Sequence, residues 1–270
     1  MKEKSMPLKR LQIPADLMEK LSKHEGRDVI ISSYFITKGD PQMDTKPPEY
    51  RCRPDDLTYI SSWLATALFC DLQPVLLIDK MDKALIALLE ARGVIVIQAN
   101  LGPMSTNDER FFCYLELLEA VKFGHVLFTD VSDVLFKKNP FEFSEMKKKI
   151  CLGRDISSTP LVGNNGWMVN KIQKLVNLNN KLLSIDEIKN FVKSPLVNAG
   201  VIGGTLAQAK DFINDVVTFL EKCPDEGNWN MIAVNFAASK LERDSFFMGK
   251  PFTSEFKKFN YEFDGYVVHK

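Results

Sequence analysis

Val126–Phe141 reads VLFTDVSDVLFKKNPF, and the reading of the whole chain turns on it. Val126, Leu127, Phe128 and Thr129 have the apolar, aromatic and β-branched character of a buried strand, and they run straight into Asp130. A second carboxylate, Asp133, follows before another apolar run that stops at Asn139-Pro140. Side chains at i and i+3 of a regular strand point to opposite faces, so the two acids converge only if the chain turns at Val131-Ser132. The carboxyl end of a central strand is the natural place for that turn. Two acids so placed repel unless a hard divalent cation lies between or beside them, and Mg²⁺ or Mn²⁺ takes such oxygen ligands together with phosphate oxygens. The plainer alternative makes Asp130 a turn cap and Asp133 a solvated loop acid.

Upstream, short apolar segments alternate with helical patterns. Asp28–Ile36 (DVIISSYFI) reads as the first confident strand, closed by Thr37-Lys38-Gly39-Asp40-Pro41. The segment 1–27 is a charged lead-in with a weak helical pattern around Ala15–Leu21, and Lys38–Pro54 is a long polar loop of the kind that is functional or moves. Asp55 or Asp56 starts a helix running to Cys70, Pro74–Asp79 is a strand, Met81–Arg92 a helix and Gly93–Gln98 a strand. Asn107 or Asp108 opens a further helix with Phe111, Phe112, Leu115, Leu118 and Val121 at helical spacing, ending near Gly124.

The result is β-α-β-α-β-α-β, a Rossmann-like half in which ligands bind beyond the carboxyl ends of the strands. That rule puts Thr37, Lys38, Asp79 and Asp130 at one edge as candidate cofactor contacts. Neither G-x-G-x-x-G nor a Walker loop is present, so a phosphate binder built on this sequence uses a metal instead.

Downstream the periodicity weakens. Lys149–Arg154 reads as a short strand, Ser157–Gly166 as a flexible segment, and Asn170–Leu183 and Asp186–Lys193 as helices. Leu196–Thr205 (LVNAGVIGGT) carries three glycines within five residues, which let backbone approach a ligand closely or take positive φ, or else mark a bulge. Leu206–Cys223 and Asn228–Ala238 are helical, and Tyr261–Lys270 presents His269 after an apolar strand.

The 270 residues suit one α/β domain with a mainly parallel central sheet, 28–270 after the lead-in, divided into a Rossmann-like half 28–143 and a second half 144–270. Lys+Arg and Asp+Glu both number 35, a balance that argues against a general nucleic-acid binder. No apolar stretch approaches a bilayer span, the start lacks an apolar targeting core, and five cysteines without metal spacing read as reduced thiols, so the expected location is cytoplasmic.

The segment V-L-F-T-D-V-S-D-V-L-F-x-x-N-P-F resembles the metal-binding "DxD" segment of GT-A-fold glycosyltransferases, in the lineages where the motif is stretched by one residue. The resemblance covers about residues 28–270 and implies the GT-A fold, a UDP- or GDP-sugar donor, a hydroxyl of a glycan or glycoconjugate as acceptor, and Mn²⁺ or Mg²⁺ held by Asp130 and Asp133. It further implies that Asn198, Ala199 and Gly200 of the glycine strand line the donor sugar, that Arg110 lies near the donor, that His269 completes the metal shell and that Lys270 contacts phosphate. Family members often carry an acid where this chain has Asn230; an amide there can contact a sugar hydroxyl but cannot act as a base. Asp155, Asp225 and Glu226 are then the candidates for a catalytic base, by location alone. A protonated His269 would lose the ion, so activity is expected to fall near the ordinary histidine range, about pH 6.5. Two other classes compete: a haloacid dehalogenase-type phosphohydrolase, which needs D-x-D spacing that D-V-S-D lacks, and a catalytically silent sugar-nucleotide-binding or scaffold protein on the same fold.

Overall fold

The computed structural model describes residues 8–38, 53–155, 160–178, 182–254 and 264–269. Among them the strands are β1 (Leu11–Gln12), β2 (Val29–Tyr34), β3 (Pro74–Ile78), β4 (Ile95–Ala99), β5 (His125–Thr129), β6 (Val134–Phe136), β7 (Ile150–Asp155), β8 (Val197–Thr205), β9 (Phe246–Ser254) and β10 (Val267–His269). The helices are α1 (Ala15–Ser22), α2 (Ser61–Phe69), α3 (Lys83–Ala91), α4 (Thr106–Ala120), α5 (Gly166–Leu178), α6 (Ile185–Phe191), α7 (Leu206–Leu220) and α8 (Asn230–Ser239). All the strands join one mixed sheet in the order β1-β4-β3-β2-β5-β8-β7-β9-β10-β6.

The four strands β4, β3, β2 and β5 are mutually parallel, as the β-α-β reading requires. Their residues alternate between two buried layers. Val29, Ile31, Val75, Leu77, Val126 and Phe128 face the side covered by α4, α7 and α8, while Ile30, Leu76, Ile78 and Leu127 face α2 and α3. A strand buried on both faces has no polar face to display, which is why PVLLI is apolar throughout. Helix starts are locally encoded: the side chains of Asp82 and Ser105 cap α3 and α4, and the reciprocal pairs Ser184/Glu187 and Thr205/Gln208 box α6 and α7. Ahead of α2 lies a 3₁₀ turn, Thr58–Ile60, whose first N–H donates to the Asp56 carboxylate at 2.8 Å.

Two strands depart from the sequence reading. β1 pairs antiparallel with β4 and, with buried Leu11 and Leu21, ties the stretch before Asp28 into the sheet and core. β9 sits between β7 and β10, in a stretch whose Gly249 and Pro251 break the alternation expected of a strand. Most of the Lys38–Pro54 loop, part of Ser157–Gly166, and Lys270 lie outside the described residues. The four described cysteines are free thiols, and no described helix is long and apolar enough to cross a membrane.

The path from β5 to β6 shapes the site. In sheet order these strands are separated by β8, β7, β9 and β10, yet in sequence only residues 130–133 lie between them. So short a link spans no more than about 3.5 Å per residue, so the second half of the sheet must curl until its far edge returns to the end of β5.

Candidate active site

Asp130 leaves the carboxyl end of β5 on a prepared base. Thr129 is buried, and its hydroxyl takes part in a network with the Ser32 hydroxyl (2.7 Å) and the Trp63 indole N–H, which donates to it at 2.9 Å. The Asp130 backbone N–H donates to the Gly200 carbonyl at 3.0 Å, pinning the turn to β8. The turn at Val131-Ser132 then brings Asp133 round to the same side. β6 follows at once and pairs with β10, with Val134 opposite His269, and that register places His269 beside Asp133.

The three side chains converge. His269 Nε2 lies 3.4 Å from Asp130 Oδ2 and 3.6 Å from Asp133 Oδ1, and one ligand atom from each of the three residues falls within 4.8 Å of the others. Two hard oxygen donors and an imidazole at that spacing fit a divalent ion such as Mn²⁺ or Mg²⁺. His269 is buried while both acids are half-exposed, so the cluster opens toward solvent on its carboxylate side.

Gly200 makes room for this convergence. A Cβ there would lie 2.3 Å from His269 Cε1 and 2.5 Å from Asp130 Oδ2. Gly200 is not among the glycines with positive φ, so space and not backbone twist requires it. Gly203 serves the core instead, where a Cβ would strike Leu127 and the Val126 carbonyl.

Arg110, reaching from the second turn of α4, donates to Asp130 Oδ1 and, at 3.4 Å, to the Ala199 carbonyl. Its side chain is buried, and its Nε has no partner among the described residues. Burial pushes the Asp130 carboxyl up, but Arg110 and His269 together bring it well below the usual carboxylate range. For His269 burial lowers the pKa, yet hydrogen bonding and charge from Asp130 and Asp133 raise it to about 10. A guanidinium and an imidazole thus face the two carboxylates.

A cleft lined by Ser33, Tyr34, Phe35, Tyr59, Thr106, Asn107, Arg110 and Asp130–Asp133 opens beside the cluster. Half-buried Tyr59 packs its ring 5.8 Å from that of buried Tyr34, at 41°, on the β2 side. Ser33–Phe35 could have been found by extending the strand-end rule to the close of β2; no local signal marks Tyr59, Thr106 or Asn107.

The other candidates fall in several places. Asp79 accepts from the backbone N–H groups of Ile36 and Thr37, both at 2.8 Å, and from the Thr37 hydroxyl, so these two residues shape the chain after β2. The Lys38 ammonium donates to the carbonyls of Gly102 and Met104 ahead of α4. Asn198 accepts from the Gly200 N–H at 2.7 Å, and β8 shifts register against β7 there, since Gly153 pairs with Asn198 while Leu152 pairs with Ile202. Asn230 is buried at the start of α8, where buried Asp108 accepts from the N–H of Trp229 at 2.9 Å. Burial raises the Asp108 pKa to about 6, partly offset by its hydrogen bonds to Ser105, Trp229 and Asn230. Asp225 and Glu226 are exposed on the turn before α8 and are not among the residues lining the cleft. Asp155 ends β7, its backbone paired with Ser254, and its side chain lies outside the described residues, as does Lys270.

No family model matches the sequence, and no curated protein matches it. Among solved structures, the galactosyltransferase LgtC, in complex with donor and acceptor sugar analogues, aligns with 82% of this chain and 73% of its own at 12% identity, with a TM-score of 0.43. The bifunctional glycosyltransferase WbbM in its apo form aligns with 83% of this chain and 39% of its own at 13% identity, with a TM-score of 0.46.

Proposed function

We propose that the protein is a GT-A-type glycosyltransferase that moves a sugar from a nucleoside-diphosphate donor, UDP- or GDP-linked, to a hydroxyl of a glycan or glycoconjugate. The observation that carries this reading is the convergence of Asp130, Asp133 and His269 beside buried Arg110 at the carboxyl end of a central parallel strand. When bound by the two acids and the imidazole, Mn²⁺ or Mg²⁺ would supply compensation for the charge that develops on the departing diphosphate.

The chain's own residues do the rest. His269 would have to be neutral at Nε2 to hold such an ion beside Asp130 and Asp133, and the ion would add positive charge where a diphosphate binds. Arg110 holds Asp130 in place and adds a buried cation that cannot be titrated away at neutral pH. Tyr59, backed by buried Tyr34, offers the nucleoside an aromatic face, and the Asn198–Gly200 backbone faces the sugar. Asp155, Asp225 and Glu226 stay candidates for the base of an inverting reaction.

Calorimetry with UDP and GDP in Mn²⁺ and in EDTA tests the reading. Binding that requires Mn²⁺ and is weakened by Asp133→Asn is expected; equal affinity with and without the ion would overturn it. The second reading, a silent sugar-nucleotide-binding protein, draws on the exposure of Asp225 and Glu226 away from the cleft lining. Metal-dependent hydrolysis of the donor separates the enzyme from the silent binder.

A further inference from the structure

The chain has three tryptophans, and two are accounted for by packing. Trp63 and Trp229 are fully buried, whereas 44% of Trp167 is open to solvent. Trp167 opens α5, whose inward residues Met168, Ile172 and Leu175 already supply its buried face. Lys171, one turn on, sets its ammonium 5.5 Å from the Trp167 ring centroid and 5.2 Å from that of Trp229. The exposed ring is therefore backed by a cation that is itself anchored on a buried ring.

Connectivity ties α5 to the β8 side of Asp130. β2 and β8 flank β5, so Asp130 has Tyr34 on one side and the entry to β8 on the other. The segment leading into α5 pairs with the segment leading into β8, Leu161 bridging to Pro195. Trp229, beside Lys171, donates its backbone N–H to Asp108, and Asp108 lies in the first turn of α4 between the cleft residues Asn107 and Arg110. A donor with its nucleoside by Tyr59 and its diphosphate at Asp130 and Asp133 would point its sugar toward the β8 side. The attacking hydroxyl would then approach from that side, the one to which α5 is tied.

We infer that Trp167, backed by Lys171, is a stacking platform for a saccharide in the acceptor subsite, an inference that rests on the glycosyltransferase reading of the Asp130 site. A pyranose ring has an apolar C–H face whose removal from water against an indole is favourable, while its hydroxyls remain at the rim. An aromatic backed by a lysine suits that amphipathic ligand, the ammonium reaching a hydroxyl as the ring takes the C–H face.

The burial of Trp63 and Trp229 makes the test selective, because iodide quenching of intrinsic fluorescence reports on Trp167. Maltotriose, cellotriose and N-acetyllactosamine are titrated in the presence of Mn²⁺ and UDP, and UDP affinity is followed separately by calorimetry. At least one saccharide is expected to shield the fluorescence. Trp167→Ala should weaken binding of that saccharide about tenfold or more by calorimetry, Trp167→Phe should largely restore it, and both variants should keep the wild-type thermal midpoint and UDP affinity. If none of the three saccharides changes the quenching, or if Trp167→Ala binds the shielding saccharide as the wild type does, the inference is overturned. Failure of UDP to bind the wild type would instead bring down the proposed function, and saccharide shielding would still decide the role of Trp167.

Discussion

Replacing Gly200 by alanine adds one methyl group at the most crowded point of the site. The new Cβ would stand 2.3 Å from His269 Cε1, 2.5 Å from Asp130 Oδ2 and 2.8 Å from Asp130 Cγ. Ordinary contacts between such atoms are about 3.5–4.0 Å, so His269 and Asp130 must together retreat by an ångström or more. Neither can do so cheaply. His269 is buried in β10, which is held between β9 and β6, and Asp130 is tied by its backbone to Gly200 itself and by its carboxylate to Arg110. Overpacking of this kind costs about 1–3 kcal/mol of stability, or about 2–4 °C in thermal midpoint per kcal/mol in a chain of this size. The larger effect falls on the ion, because ligand distances must hold to about 0.2 Å. Mn²⁺ affinity measured by calorimetry is therefore expected to drop roughly ten- to a hundredfold, with the midpoint falling modestly in EDTA and more in Mn²⁺. A variant that kept its Mn²⁺ affinity within about twofold would refute the idea that this glycine exists to let acid and imidazole meet.

Other outcomes follow from the same geometry. Asp133→Asn should weaken Mn²⁺-dependent UDP binding by about a hundredfold, since an amide oxygen keeps the shape but loses the charge; unchanged calorimetric affinity would remove Asp133 from the ligand set. With the His269 pKa raised to about 10, Mn²⁺ must displace a proton throughout the neutral range, so its affinity should climb about tenfold per pH unit from pH 6.5 to 8.5, well above where an ordinary histidine would level off. A flat profile above pH 7, or no proton release in buffers of different ionisation enthalpy, would contradict this. The same shift makes His269 stabilise the ion-free fold fully below about pH 6.5 and progressively less as pH rises toward 10, so the unfolding penalty of His269→Ala in EDTA should shrink over that interval. Asn235→Ala removes a side chain that accepts from the Val197 N–H at 2.7 Å and donates to the Val197 and Met231 carbonyls at 2.8 Å, leaving buried β8 backbone unpaired; urea unfolding should show a loss of about 2–4 kcal/mol.

The parallel half of the fold was legible because each of its strands is an apolar run bounded by turn residues and followed by a capped helix. Asp130 and Asp133 were legible for a related reason, since carboxylates at the close of a buried strand have no packing role to explain them. His269 could be named from its place after Val267-Val268, but what brings it to Asp130 is a pairing between β6 and β10 that closes a loop of roughly 140 residues, and no local pattern encodes such a pairing. β9 escaped notice because FFMGKPFTS contains a glycine and a proline, and its strand character comes from its neighbours β7 and β10. The electrostatics of His269 were hidden for a similar reason: an isolated histidine titrates near pH 6.5, whereas two carboxylates against this one raise its pKa. No local signal marks Asn235, whose amide spans both polar groups of a β8 residue.

The curl that returns β6 to the end of β5 also governs how the chain can be cut. β5 takes one neighbour, β8, and β6 takes its neighbour, β10, from beyond residue 143. A fragment ending at 143 would therefore present β5 as a bare hydrophobic edge and leave β6 a three-residue strand with nothing to hold it, an invitation to intermolecular pairing. The complementary fragment would lack the strand that β8 lies against. The boundary at residue 143 thus runs within one sheet, and expressing either side alone should yield aggregate, with soluble folded protein recovered only when the two pieces are refolded together.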